Sequence, residues 1–174
     1  MQFESRCLQW SVEGKPVPQK RHRHTYAGRV YDPCTEAKKV FLQSTRQVCP
    51  LSSPLLGALN VEMIFEFPRP KSHLRKCGEL RTGAPRQHLQ TPDVDNLAKF
   101  VMDALNGACF QDDKQVVRLV AGKRWAPPGR PGCTRVRICA AADEAPSSAS
   151  CPVHPCESAG GASASAGARD RRPT

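Results

Sequence analysis

The strongest constraint on the fold is an alternating segment between residues 59 and 67. Apolar side chains occupy every second position, at Leu59, Val61, Met63, Phe65 and Phe67. They alternate with the polar residues Asn60, Glu62 and Glu66. Successive side chains of a β-strand point to opposite faces of the sheet, so this period of two predicts a strand that buries one face.

The other elements follow from weaker patterns. Strands are predicted at Leu8–Val12, near Gln115–Trp125 and near Thr134–Ala140, with a Pro- and Gly-rich turn between the last two. A second helix is predicted from about Asn96 to Asn106, with Gly107 as its C-terminal cap.

The first helix is predicted to begin at Asp32-Pro33, with Asp32 as the N-cap and Pro33 in the first turn, and to end near Cys49. Its inward face is predicted to consist of Ala37, Val40, Phe41, Ser44 and Val48. The order strand, helix, strand, helix, strand, strand predicts an α+β fold. We expect a small mixed sheet of about four strands with two helices packed on one face.

The last 33 residues, Ala142–Thr174, differ in composition from the rest of the chain. They are rich in Ala, Ser, Gly and Pro, and side chains larger than Cys that could build a core are nearly absent. Such a segment buries too little apolar surface to offset its ordering entropy. We therefore predict one folded domain over residues 1–141 and a disordered C-terminal tail over residues 142–174.

The charge of the chain indicates a polyanionic partner. Lys and Arg number 26 against 16 Asp and Glu, for a formal net charge of +10. The predicted tail holds three basic and four acidic residues, so the positive charge belongs to the folded part. Basic side chains gain free energy by displacing counterions from phosphates, which favours nucleic acid as the partner.

The segment Pro92–Lys99 is the first candidate for chemistry. Asp93 and Asp95 stand at the predicted start of the second helix, where one Asp would suffice to cap the helix. Lys99 lies one helical turn beyond Asp95 on the same face, where it could stabilise charge that develops during phosphoryl transfer.

A second acidic pair, Asp112-Asp113, follows that helix. The helix rises by about 17 Å, and the connection from Gly107 to Asp113 spans at most about 23 Å, so the pair could return beside the first. Converging carboxylates repel one another unless a cation neutralises them, and their oxygens suit Mg²⁺ or Mn²⁺. We therefore expect a metal site, although an ordinary polar turn remains the alternative.

Two basic stretches are predicted to contact DNA phosphates. The first is a loop with Lys20, Arg21 and Arg23. The second is the segment Arg69–Gln90, which we term the basic segment and expect to be a long, mobile loop without structure of its own. Its predicted phosphate contacts are Arg69, Lys71, Arg75 and Lys76. A solvated charged loop is the alternative.

Nine cysteines and the absence of a secretory pattern in Met1–Val12 favour an intracellular, reducing compartment with mostly free thiols. Cys7, Cys109 and Cys139 are expected to serve as small hydrophobic residues. The cluster Cys151, His154 and Cys156 lacks a convincing fourth zinc ligand. No apolar run is long enough to predict a membrane span.

Four motifs together resemble the RusA-type Holliday junction resolvases. They are Gly14–Arg21, Pro92–Lys99, Asp103–Gly107 and Phe110–Val116, and the resemblance covers roughly Val12 to Ala140. In some members an arginine precedes the first aspartate, where this chain has Pro92.

This resemblance implies a homodimeric, magnesium-dependent endonuclease that cleaves branched DNA by symmetric phosphodiester hydrolysis in recombination and repair. By the same resemblance, Asp93, Asp95 and Asp113 would be the metal ligands and Lys99 the catalytic lysine. Two alternatives stay open: a nuclease specific for flaps or forks, and a catalytically silent nucleic-acid-binding protein.

Overall fold

A computed structural model describes residues 7–49 and 53–141. The main sheet contains four strands: β1 (Cys7–Glu13), β4 (Leu59–Phe67), β5 (Val116–Trp125) and β6 (Cys133–Ala140). Two short strands, β2 (Arg23–His24) and β3 (Val30–Tyr31), form a separate hairpin. The helices are α1 (Thr35–Val48) and α2 (Val94–Leu105).

The main sheet is mixed, as predicted. Its strand order is β1-β6-β4-β5, with β6 antiparallel to both β1 and β4, and with β5 parallel to β4. Helix α2 connects the two parallel strands and therefore runs back along the sheet from the end of β4 to the start of β5. This connection decides where the candidate site residues lie.

The core lies between one face of the sheet and the two helices. All five apolar residues of the alternating segment are at most 2% exposed, which confirms the strand prediction. From α2, the buried side chains are Leu97, Ala98, Phe100, Val101, Ala104 and Leu105. Phe100 packs edge-on against Phe41 of α1, with ring centroids 5.9 Å apart. The α+β prediction with both helices contributing to one core is confirmed.

Helix α1 departs from its prediction in two respects. It begins at Thr35 rather than at Asp32-Pro33, because the Asp32 side chain accepts a hydrogen bond from the Cys34 amide (2.8 Å) in a turn before the helix. Its inward face includes the buried Thr45, whereas the predicted inward residues Val40 and Val48 are 62% and 54% exposed.

The basic segment has structure of its own, contrary to the prediction. It contains a 3₁₀ turn at Lys71–His73 and a bridge between Leu74 and Leu80. His88 is buried and stacks on Phe67, with ring centroids 4.1 Å apart, and it also contacts Trp125 at 4.3 Å. These rings pack the segment against the end of the sheet, so the prediction that it has no structure of its own was wrong.

The cysteine prediction was wrong for one pair. Cys7 of β1 and Cys139 of β6 face each other in the antiparallel register and form a disulfide. Five other cysteines of the described residues are free thiols, and these are Cys34, Cys49, Cys77, Cys109 and Cys133.

The predicted disordered tail, with Cys151, His154 and Cys156, lies outside the described residues. Within residues 7–49 and 53–141, no helix has both the length and the apolar composition needed to cross a membrane.

Candidate active site

The carboxylate of Asp93 is not used to cap helix α2. Asp93 occupies the N-cap position with extended backbone angles (φ −73°, ψ 149°), but its side chain makes no capping hydrogen bond. The residue is exposed, as is Asp95 in the first turn of the helix. The capping explanation for Asp93 therefore fails, and two exposed carboxylates stand at the N-cap and in the first turn, at the positive end of the helix dipole.

Lys123 anchors the backbone that leads into Asp93. It stands near the end of β5, and its Nζ donates to the carbonyl oxygens of Gln90 (2.7 Å) and Pro92 (2.8 Å). Hydrogen bonds from a charged donor are stronger than neutral ones. Lys123 thus holds the chain immediately ahead of Asp93 at a defined place above the sheet. Sequence reasoning missed this residue, although a single Lys inside an otherwise strand-like run was visible.

The predicted catalytic lysine, Lys99, lies exposed on α2. Its nearest acidic partner is Asp103 (Nζ to Oδ1 3.9 Å), one turn further along the helix. Asp103 also accepts a hydrogen bond from Lys38 of α1 (2.9 Å), and Lys38 bridges to Asp32 (2.7 Å). Although burial opposes its charge, the two carboxylates raise the pKa of Lys38 above its usual value. Asp103 accepts its short hydrogen bond from Lys38, whereas its contact with the exposed ammonium of Lys99 is a full 1 Å longer (3.9 Å against 2.9 Å).

The structure assigns different roles to the two members of the second acidic pair. Asp112 caps the 3₁₀ turn Asp113–Gln115: its side chain accepts a hydrogen bond from the Lys114 amide (3.0 Å). The Gln115 side chain accepts from the Asp112 amide (3.1 Å), which completes a capping box. The hydrogen bond from the Lys114 backbone lowers the pKa of Asp112. Asp113 is exposed, and its carboxylate, unlike that of Asp112, is available as a metal ligand.

The single chain does not bring these carboxylates together. Among the described residues, no group of three or more His, Cys, Asp or Glu side chains is arranged to hold a metal ion. Asp93 lies beside Lys123 near the end of β5, whereas Asp113 stands just before Val116, where β5 begins. Lys123 lies seven positions beyond Val116 along the strand, which corresponds to about 23 Å. The expected return of Asp113 beside Asp93 is therefore wrong within one chain.

The first predicted phosphate contacts do lie beside α2. The Gln19 amide donates to the carbonyl of Asn96 in the first turn of the helix (2.8 Å). The Lys20 amide then donates to Sγ of Cys34 (3.3 Å), so the chain is held where Lys20 emerges. Lys20, Arg21 and Arg23 are all exposed, and the first two follow directly on the contact with Asn96.

The basic residues of the basic segment divide into two kinds. Arg69 donates to the carbonyl oxygens of Ala126 (3.1 Å) and Pro85 (2.9 Å), so its guanidinium links two backbone segments of the protein. Arg75 donates to Thr82 (3.3 Å) but stays exposed, and Lys71 and Lys76 are exposed as well. These three side chains can reach a phosphate without breaking the segment.

Glu66 of β4 forms ion pairs with two arginines on the face of the sheet opposite the core. Arg124 donates to it at 2.6 Å and Arg135 at 3.4 Å, and Sγ of Cys133 lies 3.1 Å away. Although burial opposes ionisation, the hydrogen bonds from Arg124 and Cys133 and the charge of Arg135 hold the pKa of Glu66 below its usual value. The group is an ion-paired part of the sheet and not a further acidic site.

Two comparisons with known proteins found relatives of this chain. The family model described as Endodeoxyribonuclease RusA matches residues 13–138. A Bacillus subtilis (strain 168) protein described as "Uncharacterized protein YqaN" is 32% identical over 126 residues, which are 69% of this chain and 89% of that protein. The matched region contains every candidate site residue discussed above.

Proposed function

Since the chain belongs to the RusA family of endodeoxyribonucleases, we propose that it is a magnesium-dependent enzyme that cleaves branched DNA such as Holliday junctions in recombination and repair. The observation that carries this proposal is the pair of exposed carboxylates, Asp93 and Asp95, at the start of α2, with Asp93 free of any capping role. The exposed Lys20 and Arg21 directly follow Gln19, whose amide contacts Asn96 next to Asp95, and this positive charge suits a polyanionic substrate.

The available donors suit a hard divalent cation. Asp93, Asp95 and Asp113 would hold one or two Mg²⁺ ions, with Mn²⁺ as a substitute, because both prefer carboxylate oxygens. When bound, the cation supplies Lewis acidity and an activated water for phosphodiester hydrolysis. Lys99, one turn beyond Asp95, would stabilise the charge that develops on the phosphate. Lys123 would keep Asp93 in place by holding the preceding backbone.

A homodimer would bring the third carboxylate to the first two. Strand β5 is at one edge of the sheet, and Val117, Leu119 and Val120 on it are 65%, 46% and 44% exposed. An edge strand with exposed apolar side chains is suited to pair with a second chain. Within the described residues, its outer edge is bridged at Arg124, by Gln87, which leaves the edge before that point open.

Two-fold symmetry determines the consequence of such pairing. Two β5 strands that pair edge to edge across a two-fold axis perpendicular to them run antiparallel, so the start of one would lie beside the end of the other. The partner's Asp113, just before its β5, would then approach Asp93 and Asp95 near Lys123. Each dimer would hold two such composite sites, as symmetric cleavage of two strands requires.

Cleavage assays on synthetic DNA test this proposal. Four-way junctions, forks, flaps and linear duplexes are incubated with the full chain in Mg²⁺, in Mn²⁺ and in chelator. We expect paired cuts in the four-way junction with either metal and none in chelator. Preferential cutting of flaps or forks would replace the junction specificity, and binding without cutting would identify a silent DNA-binding protein.

Matched variants test the site itself. Asp93→Asn, Asp95→Asn and Asp113→Asn should abolish cleavage while largely sparing DNA binding, because each removes a charged ligand at constant size. Asp112→Asn is the control, since asparagine also caps a helical turn and the structure gives Asp112 a capping role. Near-wild-type cleavage by the first three variants would exclude this active site.

A further inference from the structure

The hairpin of β2 and β3 presents an aromatic side chain at its tip. The turn between the strands contains Tyr26 and is closed by hydrogen bonds from the Thr25 amide to Arg29 (2.8 Å) and from the Gly28 amide to Thr25 (2.9 Å). Gly28 has a φ of +77°, a backbone conformation that favours glycine. The Tyr26 side chain is fully exposed, so this turn holds the ring in solvent.

The chain around this tip is uniformly basic. No acidic residue occurs from Gly14 through Tyr31, whereas five positions in that stretch are basic: Lys15, Lys20, Arg21, Arg23 and Arg29. All five are exposed. The ion pairs of the described residues involve none of them. Their positive charge is therefore available to a polyanion.

The hairpin also exposes apolar surface that the fold does not need. Val30 and Tyr31 of β3 are 54% and 43% exposed, and Tyr26 contributes nothing to the core. Exposed apolar groups concentrated in a short basic ribbon indicate a binding surface. An aromatic ring gains about 1–3 kcal/mol by stacking on a nucleic-acid base, whatever its sequence. Bases inside a duplex are already stacked on both sides, so the ring requires a base whose stacking is interrupted.

The hairpin is attached beside the candidate active site. It begins at Arg23, four residues after Gln19, whose amide donates to Asn96 in the first turn of α2. Asn96 directly follows Asp95. The base of the hairpin is therefore four residues, at most about 14 Å of extended chain, from a backbone contact with the residue that follows Asp95, and its tip can reach DNA that is bound there.

We propose that Tyr26 stacks on an unpaired or unstacked base at the branch point of the DNA, and that the hairpin thereby distinguishes branched from linear DNA. This inference rests on the proposed function, since it concerns DNA placed at the same site. The basic residues of the hairpin contact the DNA backbone on either side of the branch point. The tyrosine ring stacks on the base whose stacking is interrupted there.

Binding measurements without metal test this inference separately from cleavage. The probe is a four-way junction with the fluorescent base 2-aminopurine at the branch point, and the reference is a linear duplex of the same sequence. Tyr26→Ala should weaken junction binding about tenfold and leave duplex binding within about twofold, because one stacking contact is lost. The fluorescence change at the branch point should disappear with it.

Three further variants make the result specific. Tyr26→Phe should behave as wild type, since stacking needs the ring and not the hydroxyl. Arg29→Ala should weaken binding of both DNAs to the same extent. It should also reduce the slope of log K against log salt concentration by about 0.9, as the loss of a phosphate contact does. Val48→Ala, an exposed apolar position at the end of α1, is the matched control and should change neither affinity.

The inference would be overturned if Tyr26→Ala bound both DNAs as wild type does, lost affinity for both equally, or changed the oligomeric state of the protein. Failure of the proposed function looks different. A wild-type protein that cuts no branched DNA in Mg²⁺ would refute the nuclease proposal, while the binding comparison would still report on the tyrosine.

Discussion

Replacing Lys123 with methionine tests whether a single side chain positions Asp93, the proposed catalytic carboxylate. Lys123 donates two short hydrogen bonds, to Gln90 (2.7 Å) and Pro92 (2.8 Å), immediately ahead of Asp93. Methionine keeps the apolar stem that packs on the sheet but loses the charged donor. The carbonyls of residues 90 and 92 then lose their common anchor, and Asp93 is free to shift.

The size of the effect follows from these contacts. A hydrogen bond to a charged group contributes roughly 1.5–3 kcal/mol, but water can replace part of it at the half-buried Lys123. We therefore expect about 1–2 kcal/mol of lost folding stability. Catalysis should suffer more, because a misplacement of about 1 Å can lower a rate by roughly 100-fold. We expect a 10- to 100-fold fall in the single-turnover cleavage rate.

The assay combines single-turnover cleavage of a four-way junction with junction binding at several salt concentrations. Because the ammonium of Lys123 donates to backbone carbonyls and not to DNA, Lys123→Met should leave the slope of log K against log salt concentration unchanged. Lys123→Arg, which retains a charged donor, should recover part of the rate. Lys39→Met, at an exposed lysine paired only with Glu36, is the matched control. An undiminished cleavage rate, or a salt slope reduced by about 0.9, would refute the positioning role.

Two further predictions concern charge. Glu66→Gln should cost about 1–3 kcal/mol of stability at neutral pH, because Arg124 and Arg135 lose their partner. Since the pKa of Glu66 is lowered in the folded protein, its contribution is present above the ordinary carboxyl pKa and is lost as the pH falls through the folded value. Urea melts at several pH values measure this; an equal difference at all pH values would contradict it. Replacing Arg75 and Lys76 together with alanine should reduce the slope of log K against log salt by nearly 2, about 0.9 for each lost phosphate contact, in a salt titration of junction binding. An unchanged slope would mean that both side chains are solvated and make no phosphate contact.

Much of the fold could be predicted because its periodic patterns are long. The alternation of β4 and the apolar face of α2 leave little choice of structure, and both were confirmed. The hairpin was missed because its strands have two residues each, too few to show a period. The order in the basic segment was missed because it depends on rings from distant positions, His88 on Phe67 and Trp125.

The position of the two candidate carboxylates at a helix start could be predicted from the sequence, but the spatial relation of these residues to Asp113 could not. The motif around Asp93 placed two carboxylates at a helix start, and the structure confirms that position. Counting residues from Gly107 to Asp113 gives only the maximum reach of the connection, not its direction. The parallel pairing of β4 with β5 places Asp113 at the opposite end of the strand from Lys123. That relation is a property of the tertiary fold, so no local pattern could reveal it.

Mixing two inactive variants tests the composite site most directly. If Asp93 of one subunit works with the partner's Asp113, a dimer of one Asp93→Asn chain and one Asp113→Asn chain contains one intact site and one doubly altered site. Random exchange makes about half of all dimers mixed, so about a quarter of the wild-type number of sites should be restored.

The measurement is the rate of magnesium-dependent nicking of a four-way junction by each variant alone and by the equimolar mixture after subunit exchange. We predict no activity from either variant and about a quarter of the wild-type nicking rate from the mixture. A mixture as inactive as its components, with mixed dimers demonstrated, would contradict the composite site.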